Sequence, residues 1–244
     1  MPVIIHCSDP HLDRTKTRLD RLLAVLDEIA SLPSVDALVI TGDLADHGAQ
    51  DEYDELLRAL PSDLPVLLTP GNHDLTEPML DALARHGRPR SLDSVIDVAG
   101  VRIVGLDSHL DGRDEGALSA GSLAFADEQA GGTDDPVLLA MHHPAVPVGH
   151  DVADATGLTN REVLAAVVQR RANIIGILTG HVHAALAASF AGVPLVGAPG
   201  IASTMRLGNR TDPIANAHAR PGLAVHTIDA KGIRTVFHTL ARND

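Results

Sequence analysis

The stretch VIIHCSDPH, residues 3–11, is a short apolar run followed by a turn with an aspartate and a histidine. The same order returns in ALVITGD, residues 37–43, where the apolar run ends at glycine and Asp43. Short aliphatic runs bounded by turn residues are typical of buried strands. Between them, leucine and isoleucine recur at helical spacing from Leu19 to Ile29, which predicts an amphipathic helix. This order of strand, helix and strand indicates a layered α/β fold.

The rest of the chain extends this pattern and adds hairpins. Further buried strands are predicted at residues 66–68, 137–140 and 174–178. A second helix is predicted from Tyr53 to Leu60, and a third begins where Thr159 and Glu162 have the spacing of a capping box. Hairpins are predicted for residues 94–98 with 101–106, 186–190 with 193–196, and 224–228 with 233–238, the last joined through Ala230, Lys231 and Gly232. We therefore expect mixed sheets in a single domain over residues 1–244, with the least patterned loops at 108–117 and 202–221.

The composition excludes several classes of protein. Apolar residues make up 45% of the chain and charged residues 21%, as in a folded globular protein rather than a disordered one. The net charge of -13 and the absence of any basic run argue against a partner such as a nucleic acid duplex or an acidic membrane. The single Cys7 allows no disulfide within the chain. With no signal-peptide pattern and no long apolar span, we expect a cytoplasmic protein.

Side chains that can bind metal ions follow each of the five predicted buried strands. In chain order they are Asp9 and His11, then Asp43, then Asn72 and His73, then His142, then His181 and His183. Each pair alone has an ordinary explanation, such as a turn or a helix cap. All five clusters, however, stand at strand exits, where open α/β sheets bind their ligands. Carboxylate, imidazole and amide ligands suit Zn, Mn, Fe or Co, whereas Mg and Ca prefer oxygen throughout.

Five short blocks carry these residues, and together they resemble a known family. The blocks are SDPHL, GDLADHG, GNHD, MHHP and GHVH. In order and spacing they resemble the calcineurin-like metallophosphoesterases over roughly residues 3–190, and within that family the bacterial class III cyclic nucleotide phosphodiesterases and glycerophosphodiesterases. The resemblance implies a four-layer αββα sandwich of two mixed sheets flanked by helices. It also implies hydrolysis of small phosphodiesters, with cyclic nucleotide monophosphates as the leading class, by attack of a hydroxide that bridges two metal ions.

The resemblance implies a role for each residue in these blocks. One metal ion would be held by Asp9, His11 and His183, the other by Asn72, His142 and His181, and Asp43 would bridge both. Asn72 and His73 would bind the substrate, and His73 would also protonate the leaving oxygen, as Asp43 and His73 are the expected catalytic residues. Asp74 would orient the His73 imidazole. Asp46 and His143 are either outer partners of metal ligands or ordinary loop residues, and His6, His226 and His238 are expected to be packed or surface residues.

Three alternatives stay open at this point. A protein Ser/Thr phosphatase shares the metal blocks, but His47 and Pro70 stand here where that class has arginines. Without those clamps for a dianionic phosphate, a diester or a small monoester fits better. A nuclease of the same fold is disfavoured by the acidic charge. A binding scaffold that has lost its metals is disfavoured because every ligand position is intact. As to oligomeric state, a homodimer is possible because relatives in this family often pair.

Overall fold

A computed structural model describes residues 1–206, 208, 213–229 and 231–241. The strands are β1 Val3–Cys7, β2 Ala37–Thr41, β3 Val66–Thr69, β4 Ser94–Val98, β5 Val101–Gly105, β6 Val137–Ala140, β7 Ile174–Thr179, β8 Leu186–Phe190, β9 Val193–Gly197, β10 Thr204–Met205, β11 Ala215–Asn216, β12 Gly222–Asp229 and β13 Gly232–Thr239. The helices are α1 Lys16–Ser31, α2 Gln50–Ala59, α3 Thr76–Arg85, α4 Ala120–Gly131, α5 Asp151–Ala155 and α6 Arg161–Arg170.

The strands form two large mixed sheets. The first has the order β13-β12-β1-β2-β3, with β1, β2 and β3 parallel and the β12–β13 hairpin antiparallel. The second has the order β4-β5-β6-β7-β9-β8, with a parallel centre and an antiparallel strand at each edge. The short strands β10 and β11 pair with each other. The expectation of mixed sheets is confirmed.

Three hydrophobic cores separate four layers. Along β1, Ile4 and Ile5 point to opposite faces, as successive strand residues must. Ile5 belongs to the core that helices α1 to α3 form on the first sheet, whereas Ile4 packs between the two sheets against residues such as Leu138. Helices α4 and α6 cover the other face of the second sheet through residues such as Ala126 and Leu164. The αββα sandwich is therefore confirmed, and none of the helices in the described ranges is long and apolar enough to cross a bilayer.

The predicted elements are mostly present, with some additions. All five predicted buried strands form, as do the three hairpins and the three helices. Ala230 in the last hairpin, and residues 207 and 209–212 of the loop predicted over 202–221, lie outside the described residues. The described part of that loop contains the β10–β11 pair, which the sequence analysis did not predict. Helices α3, α4 and α5 were not predicted from the sequence either.

The predicted capping box at the start of α6 is wrong. The helix begins at Arg161 with Asn160 as its N-cap residue, and Thr159 lies outside the helix. The Thr159 hydroxyl instead donates to the backbone carbonyl of Gly116 at 2.8 Å. The side-chain amide of Asn160 accepts from Leu118 N at 3.0 Å and donates to Leu118 O at 2.8 Å. Thr159 therefore holds the 108–117 loop, and Asn160 holds the residue that follows it, rather than capping the helix with their side chains.

Candidate metal centre

The loops that carry the predicted ligands have an unusual backbone. In the described chain, eight residues other than glycine have a positive φ, and five of them are predicted metal ligands: Asp9 at 55°, His11 at 45°, Asp43 at 49°, His181 at 70° and His183 at 50°. Each such residue costs about 1–2 kcal/mol relative to the right-handed region. Hydrogen bonds from backbone nitrogens between the loops oppose that cost. His11 N donates to Asp43 O at 2.9 Å, and His181 N donates to Asp9 Oδ1 at 3.1 Å. Backbone strain is thus concentrated where the ligands meet.

Two glycines allow these loops to approach closely. A Cβ at Gly42, which has a φ of 83°, would overlap the His142 imidazole. A Cβ at Gly71 would overlap the backbone nitrogen and the carboxylate of Asp43. The glycines of the GDLADHG and GNHD blocks are therefore needed for packing between ligand loops as well as for turns.

One group of ligand atoms is formed by Asp9, His11, Asp43 and His183, and these atoms lie within 4.8 Å of one another. His11 Nε2 is 3.1 Å from His183 Nε2 and 3.2 Å from Asp43 Oδ2. Metal bonds of about 2.1 Å at the tetrahedral angle separate ligand atoms by about 3.4 Å, close to these values. Asp9 Oδ2 is buried and has no hydrogen-bond partner among the residues that the structure describes. These four residues therefore fit a metal ion.

A second group lies on the other side of Asp43. Asn72 Oδ1 is 3.2 Å from His142 Nε2 and 3.0 Å from His181 Nδ1. His142 Nε2 is also 3.4 Å from Asp43 Oδ1. The two carboxylate oxygens of Asp43 thus face different imidazoles, Oδ2 towards His11 and Oδ1 towards His142. This geometry suits a carboxylate between two cations.

The imidazoles of both groups are held from behind by oxygen atoms. In each ring, the nitrogen that faces away from the other ligand atoms contacts an oxygen atom at 2.7–2.8 Å. The partner of His11 is the Asp46 carboxylate, and that of His142 is the Thr41 carbonyl. The partners of His181 and His183 are the hydroxyls of Thr156 and Ser203, respectively. Such outer contacts fix the ring orientation and determine which nitrogen faces a metal. Asp46, whose role the sequence left open, is therefore an outer partner of His11. The sequence carried no signal for Thr41, Thr156 or Ser203, because none of them belongs to a recognisable ligand motif.

The imidazoles of the site divide into two with a raised pKa, His11 and His142, and two whose pKa burial lowers, His181 and His183. Burial lowers the pKa of His11, but Asp43 and Asp46 outweigh it and raise that pKa to about 10. Burial likewise opposes protonation of His142, yet Asp43 raises its pKa to about 9. Burial raises the pKa of Asp43, but His142 and His11 outweigh it and hold that pKa well below its usual range. Surroundings that stabilise an imidazolium also attract a metal cation, which competes with the proton for the same nitrogen.

His73 lies at the edge of these groups and is exposed. Its Nδ1 is 2.9 Å from the Asp46 carbonyl, so the neutral ring donates from Nδ1 and Nε2 is the nitrogen that can contact a ligand. Its backbone nitrogen donates to Asp43 Oδ1 at 2.9 Å, and its ring packs edge-on against His11 with centroids 4.6 Å apart. The side chain lines a cavity of about 300 Å³ beside the candidate centre. His73 is therefore fixed next to both groups.

The expectation that Asp74 orients His73 is wrong. The Asp74 carboxylate is buried and accepts hydrogen bonds from the backbone nitrogens of Gly71, Leu44 and Ala45, at 2.8, 3.0 and 3.0 Å. Burial and the nearby Asp43 raise its pKa, although the backbone hydrogen bonds oppose this. Asp74 therefore joins the loops after β2 and β3, and the ring of His73 is held by Asp46 instead.

His143, the other residue left open, connects the centre to the 108–117 loop. Its ring packs against those of His142 and His181, with centroids 4.9 Å apart in each case. Both of its nitrogens have partners in that loop, the Ser108 hydroxyl at 2.9 Å and the Asp114 carbonyl at 3.2 Å. Burial lowers its pKa well below the usual value. The neutral ring thus supports two predicted ligands from behind.

Comparison with known sequences agrees with this geometry. The sequence profile described as calcineurin-like phosphoesterase matches residues 2–185. The chain belongs to this family. By class it is a metal-dependent phosphoric ester hydrolase. The resemblance found in the five blocks, and the fold that it implied, are thereby confirmed.

Several relatives of the chain have names that state an activity. The chain is 34% identical over 208 residues to a probable cyclic nucleotide phosphodiesterase of Rhodococcus erythropolis, covering 79% of this chain and 68% of the relative. It is 34% identical over 211 residues to a cAMP/cGMP dual specificity phosphodiesterase of Mycobacterium tuberculosis, covering 79% and 65%. It is 33% identical over 159 residues to a probable glycerophosphodiester phosphodiesterase of Arcobacter nitrofigilis, covering 62% and 58%. The aligned part is thus 58–68% of these relatives' lengths.

A solved structure shares the fold over nearly the whole chain. The dimetal phosphatase from Danio rerio has a TM-score of 0.69, with 98% of this chain and 99% of that chain covered. The sequence identity is 14%, so the similarity concerns the fold alone.

Proposed function

We propose that the chain is a phosphodiesterase that uses two metal ions and acts on small phosphodiesters, with cyclic nucleotide monophosphates as the leading substrates. The observation that carries the proposal is the position of Asp43, whose two oxygens face two separate sets of nitrogen ligands. The donor set of carboxylates, imidazoles and one amide suits Fe, Mn, Zn or Co. Two relatives with 34% identity have names that refer to cyclic nucleotides, which supports this substrate class.

The residues of this chain have distinct tasks in such a reaction. The chemistry that a pair of divalent ions supplies is neutralisation of phosphoryl oxygens and acidification of water. Asp9 and Asp43 leave such a centre with a charge of about +2, from about +4 minus 2, so an anionic ester is attracted despite the acidic chain. Asn72 and His73 contact the phosphoryl group. His73 is held through Nδ1 by the Asp46 carbonyl. When its ring carries a second proton, on Nε2, it delivers that proton to the leaving oxygen and returns to the neutral form.

The charge of the site favours a diester over a monoester. None of the described residues that line the cavity is lysine or arginine. His47 and Pro70 occupy the positions where protein phosphatases have arginines. A dianionic monoester gains most from bidentate arginine contacts, whereas a monoanionic diester requires fewer. Glycerophosphodiesters are the second candidate substrates, because a relative with 33% identity is named for them.

A substrate panel tests the proposal. Purified protein loaded in turn with Mn, Fe, Co or Zn is assayed against cyclic AMP, cyclic GMP, glycerophosphoethanolamine and 4-nitrophenyl phosphate, and its metal content is measured. We expect close to two ions per chain and a higher kcat/KM for the cyclic nucleotides than for the monoester. Faster turnover of the monoester with every metal would overturn the diester proposal. Fewer than one ion per chain together with no turnover would overturn the enzymatic proposal itself.

A further inference from the structure

The cavity beside the candidate centre is lined by two kinds of residue. The first kind is predicted ligands and His73. The second kind is aliphatic side chains from α5, β10, β11 and the residue before β11: Val152, Met205, Ile214 and Ala215, here named the apolar wall. Val152 is 40% exposed although it is a large aliphatic residue. Exposed apolar groups that line a concavity next to polar groups are typical of a ligand site.

The polar groups that line the cavity outside the candidate centre are few, and none of those described is cationic. The Thr156 hydroxyl already contacts His181 Nε2 at 2.8 Å and the carbonyls of the preceding helix at 3.2 and 3.4 Å. Asp114, an exposed residue, is the one acidic residue lining the cavity outside the candidate centre in the described chain. A second anionic group of a substrate would find no positive partner among the described lining residues and would face the Asp114 carboxylate. An uncharged group can instead bury its surface against the wall.

We propose that the apolar wall is the subsite for one organic group of the diester and that it selects an uncharged ring over a small alkyl group or an anionic group. This inference rests on the proposed function and specifies its substrate class. A cavity of about 300 Å³ is at the small end of ligand sites, so it accommodates one ring system beside the phosphoryl group. Met205 is suited to such contacts because its flexible thioether adapts to flat surfaces.

Two diesters with the same leaving group test the selection. Bis(4-nitrophenyl) phosphate and methyl 4-nitrophenyl phosphate differ in the group that remains, a ring or a methyl. We expect wild type to prefer the first, and the double variant Val152→Thr with Met205→Ala to lose roughly tenfold of that preference in kcat/KM. The methyl ester is the internal reference, because a general loss of activity lowers kcat/KM for both esters and leaves their ratio unchanged. Matched controls are Val163→Thr and Leu23→Ala, both at exposed aliphatic residues outside the cavity lining.

A gain of function separates selection from damage to the fold. Val152→Lys places a cation on the wall, so it should raise kcat/KM for 4-carboxyphenyl 4-nitrophenyl phosphate relative to phenyl 4-nitrophenyl phosphate by about tenfold. Val163→Lys should leave this ratio at the wild-type value. Calorimetric binding of phenylphosphonate and methylphosphonate to the same metal-loaded proteins gives a second readout that does not depend on turnover.

These measurements distinguish a failure of the proposed subsite from a failure of the proposed function. If metal-loaded wild type hydrolyses no diester, the proposed function is overturned and the subsite with it. If it hydrolyses both diesters with similar kcat/KM, or if the double variant and Val152→Lys leave both ratios unchanged, the subsite alone is overturned. A tenfold loss in the double variant together with the gain for the carboxylated diester supports it.

Discussion

The chain buries imidazoles in two regions that differ in their neighbouring groups. At the candidate centre, Asp43 raises the pKa of His11 to about 10 and that of His142 to about 9, whereas burial lowers the pKa of His181 to about 3 and also that of His183. Between the sheets, His6 and His226 are fully buried, and burial lowers the pKa of both, that of His226 to about 3. Burial alone thus lowers the pKa of an imidazole, and the Asp43 carboxylate reverses this for the two rings that it contacts. Contact with a shared carboxylate, not the depth of burial, distinguishes His11 and His142 from the imidazoles between the sheets.

The two regions meet at Thr41. Its carbonyl is 2.8 Å from Nδ1 of His142, and its hydroxyl is 2.9 Å from Nε2 of His6. From His6 the contacts continue to His226 at 3.3 Å and from there to the Thr235 hydroxyl at 2.8 Å. The inter-sheet imidazoles therefore satisfy their polar atoms with each other and with threonines, and no carboxylate takes part in this row among the described residues. A substitution in one of these two regions should therefore leave the contacts of the other in place.

The largest effect is expected from Asp43→Ala, which removes the carboxylate between both groups. We expect kcat/KM to fall by at least about 10³-fold, because the charge that two cations share is lost. The metal content per chain should fall with it. Both quantities are measured beside Asp20→Ala, which removes an exposed carboxylate on α1. Activity at the wild-type level in Asp43→Ala would refute the proposed centre.

A smaller loss is expected from His73→Ala, which removes the imidazole beside the groups. General acid catalysis typically contributes about 10²-fold or more, so kcat/KM should fall by about 10²-fold while the metal content stays at the wild-type value. His238→Ala is the matched control, because His238 is an exposed histidine on β13, outside the ligand loops. If both variants lose the same activity, His73 has no special role in the reaction.

The substitution Asp46→Asn weakens the outer support of His11 without removing a ligand. Loss of such a partner typically costs 10- to 100-fold in metal affinity, so we expect a weakening of about tenfold, with kcat at saturating metal close to wild type. Metal titration followed by activity and by calorimetry separates the two quantities. Asp51→Asn, at an exposed carboxylate paired with Arg14, is the control. An unchanged metal affinity would show that the 2.8 Å contact between Asp46 and His11 is incidental.

The inter-sheet pair provides the smallest effect, a pH dependence of stability. The folded-state pKa values of His6 and His226 lie below the unfolded value of about 6.5, so the unfolded chain binds more protons below that pH. The free energy of unfolding therefore decreases as the pH falls from 6.5, by up to about 1.4 kcal/mol per pH unit for each group. His226→Leu should reduce this slope by up to about 1.4 kcal/mol per unit. Urea unfolding between pH 6.5 and 4.5 measures it, and equal slopes in both proteins would contradict the pair's contribution.

The sequence predicted those parts of the fold that depend on local pattern. The strands β1, β2, β3, β6 and β7 are aliphatic runs, and the metal-binding side chains follow them directly. Helix α4 was not predicted because its buried face consists of Ser122, Ala126 and Ala130, which give no apolar period. Helix α3 buries only Met79, Ala82 and Leu83 over ten residues, a pattern too short to stand out.

Individual side-chain roles were harder to predict because they depend on tertiary partners. Asp74 lies directly after His73, yet it accepts backbone hydrogen bonds from Leu44 and Ala45, about thirty positions earlier. Thr159 has the spacing of a cap, yet its hydroxyl reaches Gly116. In both cases the competing acceptor or donor is brought near only by the packing of distant loops. The same packing creates the cavity beside the candidate centre, so its apolar wall had no sequence signal either.

The ligand positions come from two distant halves of the chain. Asp9, His11, Asp43 and Asn72 follow strands of the first sheet, whereas His142, His181 and His183 follow strands of the second. A cation bound by both sets would act as a removable cross-link that closes a chain segment from residue 9 to 183, much as a disulfide does. At a free metal concentration one hundred times the dissociation constant, such a ligand adds about 2.7 kcal/mol to the free energy of unfolding. Metal supply would then govern how long each chain survives proteolysis as well as how fast it turns over substrate.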